Sequence, residues 1–163
     1  MAKRVIVRGR GISSGLAKGT AIVTKQPFMF AHGIDVVTGT IIDERHELYG
    51  KSIAGKVFVF PHGKGSTTGS AWILENLRRR HGPIAIINLN AEPIIAAGAI
   101  MARIFFGIEV PIVDRLEKNP LEIIETGDHV DVNGNTGTVE IVKESRKPFR
   151  RRTPPIGTSV HST

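Results

Sequence analysis

Residues 85–114, "AIINLNAEPIIAAGAIMARIFFGIEVPIVD", restrict the possible folds more than any other stretch of the chain. They read strand, helix, strand. An Ile-rich run comes first, then Pro93 in a first helical turn. A face of Ala96, Ala97, Gly98 and Ala99, small enough for close packing, precedes a second apolar run. Strands joined by a crossover helix run parallel and are buried on both faces, so the rest of the chain has to supply their neighbours. Val- and Ile-rich runs at 4–8, 19–24, 39–43, 56–61, 84–88, 110–113, 128–132 and 137–142, punctuated by Gly, Asn or Pro, read as strands. "VDVNGNTGTVEIV" is the clearest hairpin, with Asn133-Gly134 as the residues that tolerate positive φ. A helix is predicted over 68–80, stopped by Gly82-Pro83, and another over 92–105. This order fits an α/β fold with a β-barrel-like part, built from the first and last strands, and a helix-covered sheet layer in the middle.

Charge divides the chain in two. The net charge of +7 is not spread evenly: residues 1–142 hold 16 basic and 14 acidic side chains, whereas 143–163 hold 6 basic and 1 acidic. The domain is therefore taken as 1–142 and nearly neutral. The segment "KESRKPFRRRTPPIGTSVHST", with three prolines, reads as a basic tail, disordered when unbound. Such a tail can bind RNA, dock on an acidic surface or only keep the chain in solution. A non-catalytic binding module whose tail contacts nucleic acid is the weaker reading for a protein whose folded part is almost neutral. No apolar run approaches the ~18–20 residues that span a bilayer. "MAKR" leads straight into "VIVRGRG" without a signal-peptide core, which points to a cytoplasmic protein. The chain has no cysteine. That excludes disulfides, thiol nucleophiles, thiolate zinc sites and a cluster ligated by its own cysteines.

"FVFPHGKGSTTGSAWILENLRRR", 58–80, brings an apolar strand to a Gly/Ser/Thr loop and then a helix. A Walker A loop would need a glycine where Phe58 stands and its lysine after the second glycine, so nucleotide binding fails. A dinucleotide fingerprint fails on glycine spacing. Two readings stay open: one hydroxyl of Ser66, Thr67 or Thr68 caps the helix, or the loop holds an anion at the helix N-terminus with Lys64 beside it. "QPFMFAHGIDVVTG", 26–39, is too apolar for an ordinary loop and is either a pocket wall, with His32 and Asp35, or a loop tucked over the core. Asp43, His46 and Ser52 suggest a hydrolase triad, but no G-x-S-x-G elbow is present. The histidines have no metal-ligand spacing. Arg78-Arg79-Arg80 suits a helix C-terminus, and a single "RGRG" at 8–11 is a weak RNA signal.

In order along the chain, "RGRGISSGLAKGTAIVT", "QPFMFAHGIDVVTGTIIDERHELYGKSIAGKVFVFPHGKGSTTGS" and "IAIINLNAEPIIAAGAIMARIFFGIEVPIVD" resemble the small subunit of the aconitase X family. The resemblance covers 4–142. It implies a swivelling β/β/α domain, like the fourth domain of aconitase, closing over an active site built mainly by a separate large subunit. The implied activity is that of a hydro-lyase active only as a heterodimer. It converts (R)-5-phosphomevalonate to trans-anhydromevalonate 5-phosphate and water, in the archaeal mevalonate route to isoprenoids. Bacterial relatives dehydrate hydroxyproline, which is the alternative substrate. The resemblance places a [4Fe-4S] cluster on the large subunit, where iron acts as Lewis acid on the leaving hydroxyl. It makes Ser66 the base that takes the proton α to the carboxylate. Lys64, Gly65, Thr67 and Thr68 become the substrate-side residues, and the chain itself holds no metal.

Overall fold

A computed structural model describes residues 2–143; the expected basic tail lies outside them. Among the described residues, eight strands form one mixed sheet in the order β1-β8-β7-β3-β4-β5-β6-β2. They are β1 (Lys3–Arg8), β2 (Arg10–Ser13), β3 (Leu16–Val23), β4 (Val57–Phe60), β5 (Ala85–Asn88), β6 (Ile112–Asp114), β7 (His129–Asn133) and β8 (Thr138–Lys143). Helices α1 (Thr68–Arg78), α2 (Pro93–Phe106) and the single-turn α3 (Pro120–Ile123) complete the fold.

Strand β3 is where the two parts meet. Its first residues, Leu16 to Thr20, pair antiparallel with β7, and Ala21 to Val23 pair parallel with β4. The burial pattern changes with the partner. β7 and β8 alternate between buried and less buried positions, as strands with one face to a core do. β4, β5 and β6 are buried at every position, as parallel strands with helices on one face and strands on the other must be. The period-2 geometry lets β4 feed two cores. Phe58 and Phe60 point into a cluster with Phe28, Phe30, Ile73, Ile95 and Ala99 under the helices. Val57 and Val59 point into the half-barrel with Val7, Ile87, Val130, Val139 and Ile141. Burial of each such side chain is worth about 1.5–3 kcal/mol.

The βαβ unit read at 85–114 is present as β5-α2-β6, with the strands parallel. β4-α1-β5 repeats it, so α1 and α2 run side by side in the same direction: Gly69 lies against Ile94, and Gly98 against Ser70 and Ile73. A Cβ at Gly98 would come within 2.9 Å of the Ser70 carbonyl oxygen; of the predicted small-residue face only Gly98 and Ala99 are buried, and Ala97 is exposed, because successive helical residues point about 100° apart. At the other end of the molecule Gly9 bends one chain segment into β1 and β2 and donates its N–H to the Gly137 carbonyl at 2.8 Å. A Cβ on Gly11 would fall on the Gly134 carbonyl, so the sheet can close there only between backbones.

Several expectations need correction. Residues 39–43 are not a strand; they make only isolated bridges, Ile34 to Ile41 and Thr40 to Ser52, because turns on either side, closed by bonds such as Gly39 N–H to Asp35 O and Tyr49 N–H to His46 O, wind this segment up. β2 is an addition to the predicted strands, since glycine-flanked "RGRG" carries no alternation. α1 ends at Arg78, and Arg80, at φ 63°, turns the chain before Gly82-Pro83 is reached. In the β7–β8 hairpin the positive φ of 73° falls on Gly137. Asn133 instead accepts from the N–H groups of Asn135 and Thr136 at 3.0 and 3.1 Å, so its side chain organises the turn. Among the described residues no helix is long and apolar enough to cross a membrane.

Candidate functional site

β4 ends at the rim of the parallel layer, and the loop beyond it is tied down by a neighbouring segment rather than by itself. Phe28 N–H donates to His62 O at 3.2 Å and Lys64 N–H to Phe28 O at 3.0 Å, a short parallel bridge that extends the sheet by one step. Gly65 then takes φ 105°, which L side chains rarely adopt, with Met29 packed beneath it. Gly69 N–H bonds Ser66 O at 3.0 Å and Ser70 N–H bonds Thr67 O at 3.1 Å, a tight entry into α1.

This geometry does not support the capping reading of the loop. Thr67 occupies the N-cap position in helical conformation (φ −56°, ψ −21°) and its side chain makes no cap bond. Among the described residues, the hydroxyls of Ser66, Thr67 and Thr68 find no partner, and neither do the N–H groups from Gly65 to Thr68. Ser70 bonds the Thr67 carbonyl at 2.7 Å, away from those donors. Lys64 and Ser66 to Thr68 are all exposed. The hydroxyls are therefore free of the capping work assigned to them by the simpler reading. The loop presents hydroxyls, N–H donors, a positive helix end and an ammonium group to one region of solvent. Such a set stabilises negative charge.

The apolar segment 26–39 resolves the other way. Phe28 and Phe30 are 1% and 3% exposed and stack edge-to-face, 4.8 Å apart, over Phe58 and Phe60; they are core, not pocket wall. Asp35 is spent on its own turn, accepting from Val37 N–H at 2.8 Å. His32 lies over Trp72 at 4.9 Å.

The segment does bring Gln26 and Pro27 beside Lys64, where they line an open cleft with Asp43, Arg45 and His46. Asp43 Oδ1 accepts the Arg45 N–H at 3.1 Å, and this bond holds its carboxyl below the usual range. His46 is 7% exposed; burial pushes its imidazole down, so it is neutral at pH 7. Its Nδ1 accepts the Leu48 N–H at 3.1 Å, so the proton sits on Nε2, which is buried and without a partner among the described residues. No triad forms: His46 meets no carboxylate, and Ser52 Oγ bonds Thr38 O at 3.4 Å. Gln26 and Arg45 join the site without any signal in the sequence. They are remote from Lys64 along the chain and reach it only through the Phe28 bridge and the wound 34–53 loop.

The basic motifs are structural. Arg10 of "RGRG" makes a two-pronged pair with Asp114, at 2.9 and 2.8 Å. Asp114 is fully buried, and its second oxygen also accepts the Ala91 N–H, fixing the turn after β5. Burial opposes its charge, but Arg10 and Ala91 prevail and hold its carboxyl below the ordinary value. Arg78 and Arg79 both bond Glu75.

Comparison with known proteins gives a consistent result. A family model described as the aconitase X swivel domain matches residues 6–141. The phosphomevalonate dehydratase small subunit of Methanosarcina acetivorans is 47% identical over 137 residues, which is 84% of this chain and 91% of the relative. That of Methanocaldococcus jannaschii is 45% identical over 138 residues, 85% of this chain and 98% of the relative. Among solved structures, the crystal structure of Thermococcus kodakaraensis aconitase X in its holo-form superposes with a TM-score of 0.76 at 40% identity. It covers 84% of this chain and 98% of that one.

Proposed function

The chain belongs to the aconitase X swivel-domain family, and on that premise we propose that it is the small subunit of a phosphomevalonate dehydratase. The enzyme is a hydro-lyase of the mevalonate pathway, taking (R)-5-phosphomevalonate to trans-anhydromevalonate 5-phosphate. The chain works in a heterodimer with a large subunit.

The observation that carries the reading is the uncapped start of α1, with its free hydroxyls and N–H groups beside Lys64. Dehydration takes a proton from one carbon and a hydroxyl from its neighbour. We assign the proton to Ser66 Oγ. A serine accepts a proton only as an alkoxide, so the loop has to hold negative charge on that oxygen. The helix end contributes about 0.3–2 kcal/mol. One pKa unit is about 1.4 kcal/mol, so the N–H donors and Lys64 must add to it. Thr67, Thr68 and the Gly65 backbone are assigned to substrate oxygens, with Lys64 as their counter-charge. Closure of the domain over the large subunit excludes water and brings Ser66 to the carbon.

The family points to an iron–sulfur enzyme, and the residues of this chain do not fit such a cluster. The sequence has no cysteine, and among the described residues no three of His, Asp and Glu gather as a metal site. We therefore place the [4Fe-4S] cluster on the large subunit.

The test is reconstitution of the pair, assayed with 5-phosphomevalonate and with hydroxyproline. Turnover of the first alone is expected. Turnover of hydroxyproline alone would overturn the substrate, and normal turnover by Ser66→Ala would overturn the base.

A further inference from the structure

The cleft beside Lys64 is lined almost entirely by donors. Gln26 Oε1 accepts the Glu47 N–H at 3.0 Å, and the amide nitrogen of Gln26 has no partner among the described residues. Arg45 has a largely exposed guanidinium, with its Nε 3.5 Å from Asp43 Oδ1. Lys64 is exposed, and its charge is felt at both Asp43 and His46. His46 lines the cleft as a buried side chain, its protonated Nε2 turned away from solvent and without a partner among the described residues. Asp43 is the one acidic side chain lining the cleft, and its Oδ1 is engaged by the backbone and guanidinium of Arg45. Two cations against one engaged carboxylate leave the cleft positive, with donors from three exposed side chains, Gln26, Arg45 and Lys64. An amine would be repelled, and a neutral polyol would find too few acceptors. An oxyanion with several oxygens satisfies the set.

We infer that this cleft, where Gln26, Arg45 and Lys64 present their donors beside the buried His46, seats the phosphoryl group of the substrate, so that the swivelling subunit carries substrate as well as base. The inference rests on the dehydratase reading for the identity of the ligand. It gives one loop both tasks: Lys64 reaches the phosphoryl group while Ser66, two residues on, faces the carbon that loses its proton. Arg45 and Gln26 hold the group together with Lys64, supplied by segments that reach it through the wound 34–53 loop and the Phe28 bridge.

The experiment uses the reconstituted pair with 5-phosphomevalonate as substrate and inorganic phosphate as inhibitor. Arg45→Met changes an exposed side chain and leaves the core alone. It is expected to raise KM roughly tenfold to hundredfold, to change kcat by less than about threefold, and to weaken phosphate inhibition in parallel. Ser66→Ala should do the opposite, losing kcat with phosphate inhibition intact. An unchanged KM in Arg45→Met overturns the inference. So does a raised KM with unaltered phosphate inhibition, which would assign the cleft to the carboxylate. In the full chain alone, inorganic phosphate is expected to shift the side-chain NMR signals of His46 and Gln26, and Arg45→Met to abolish those shifts. Phosphate binding without turnover of 5-phosphomevalonate would overturn the dehydratase reading and leave an oxyanion site standing; absent shifts would overturn the site itself.

Discussion

At its C-terminal end α1 is closed by its own side chains, whereas at its N-terminal end it is closed by nothing. Glu75 bonds Arg78 through both oxygens, at 2.7 and 2.8 Å, and Arg79 at 2.6 Å. The N–H groups of Arg79 and Arg80 return to Glu75 and Leu77. At the start, Ser66, Thr67 and Thr68 are the residues that usually cap helices, and none of them does so here. A helix finished so fully at one end and left open at the other has its open end available to a ligand. On the proposed function, stability is forgone there because the chemistry needs free donors.

The largest test of this contrast is Ser66→Ala. Turnover of the reconstituted pair should fall by about a hundredfold or more, as for loss of a general base, while the melting temperature of the chain stays within a degree or two. Gly65→Ala comes next. A methyl group at φ 105°, against Met29, should cost about 1–2 kcal/mol in urea unfolding and pull Ser66 out of place, so stability and turnover fall together. Thr67→Asp would give the open end the acid it lacks. It should stabilise the chain by about 0.3–1 kcal/mol and reduce turnover, because the new carboxylate takes up the donors; a stabilised variant with full activity would show that the open end serves no ligand. The smallest effect lies at the closed end. Arg78 and Arg79 hold the Glu75 carboxyl down to about 2 from its ordinary 4.5. A depressed carboxyl contributes stability that is complete above its unfolded pKa and lost as pH falls through the folded one. The difference in melting temperature between the parent and Glu75→Gln should therefore be present at pH 7 and shrink between about pH 4.5 and 2. Because the pair is exposed, salt should reduce it.

The layer of parallel strands and both long helices were legible in the sequence because their signals are local. Apolar runs mark β4 and β5, Pro93 sits at the first turn of α2, and small residues face α1. What the sequence concealed depends on contacts between distant segments. β2 forms because it finds β6, about a hundred residues away. Segment 39–43 has the composition of a strand and lacks a neighbour to pair with along its length. The same division holds at the site. Lys64 to Thr68 advertise themselves as glycine and hydroxyl beside a helix, while Gln26 and Arg45 look like ordinary surface residues until the chain is folded. Phe28 and Phe30 left two readings open, a pocket wall or a loop tucked over the core, and here they are the floor on which the loop is built.

The parallel course of α1 and α2 has an effect at a distance. Antiparallel neighbours cancel each other's dipoles; these two add, and both positive ends emerge at the rim that bears Ser66 and Lys64. Arg78, Arg79 and Arg103 sit toward the opposite ends, where they offset the negative backbone charge. The positive helix starts at the rim thus add to the charge of Lys64 before any partner arrives. An incoming dianion would be drawn to that rim during the encounter. Such steering acts on the rate of approach and fades as ionic strength rises.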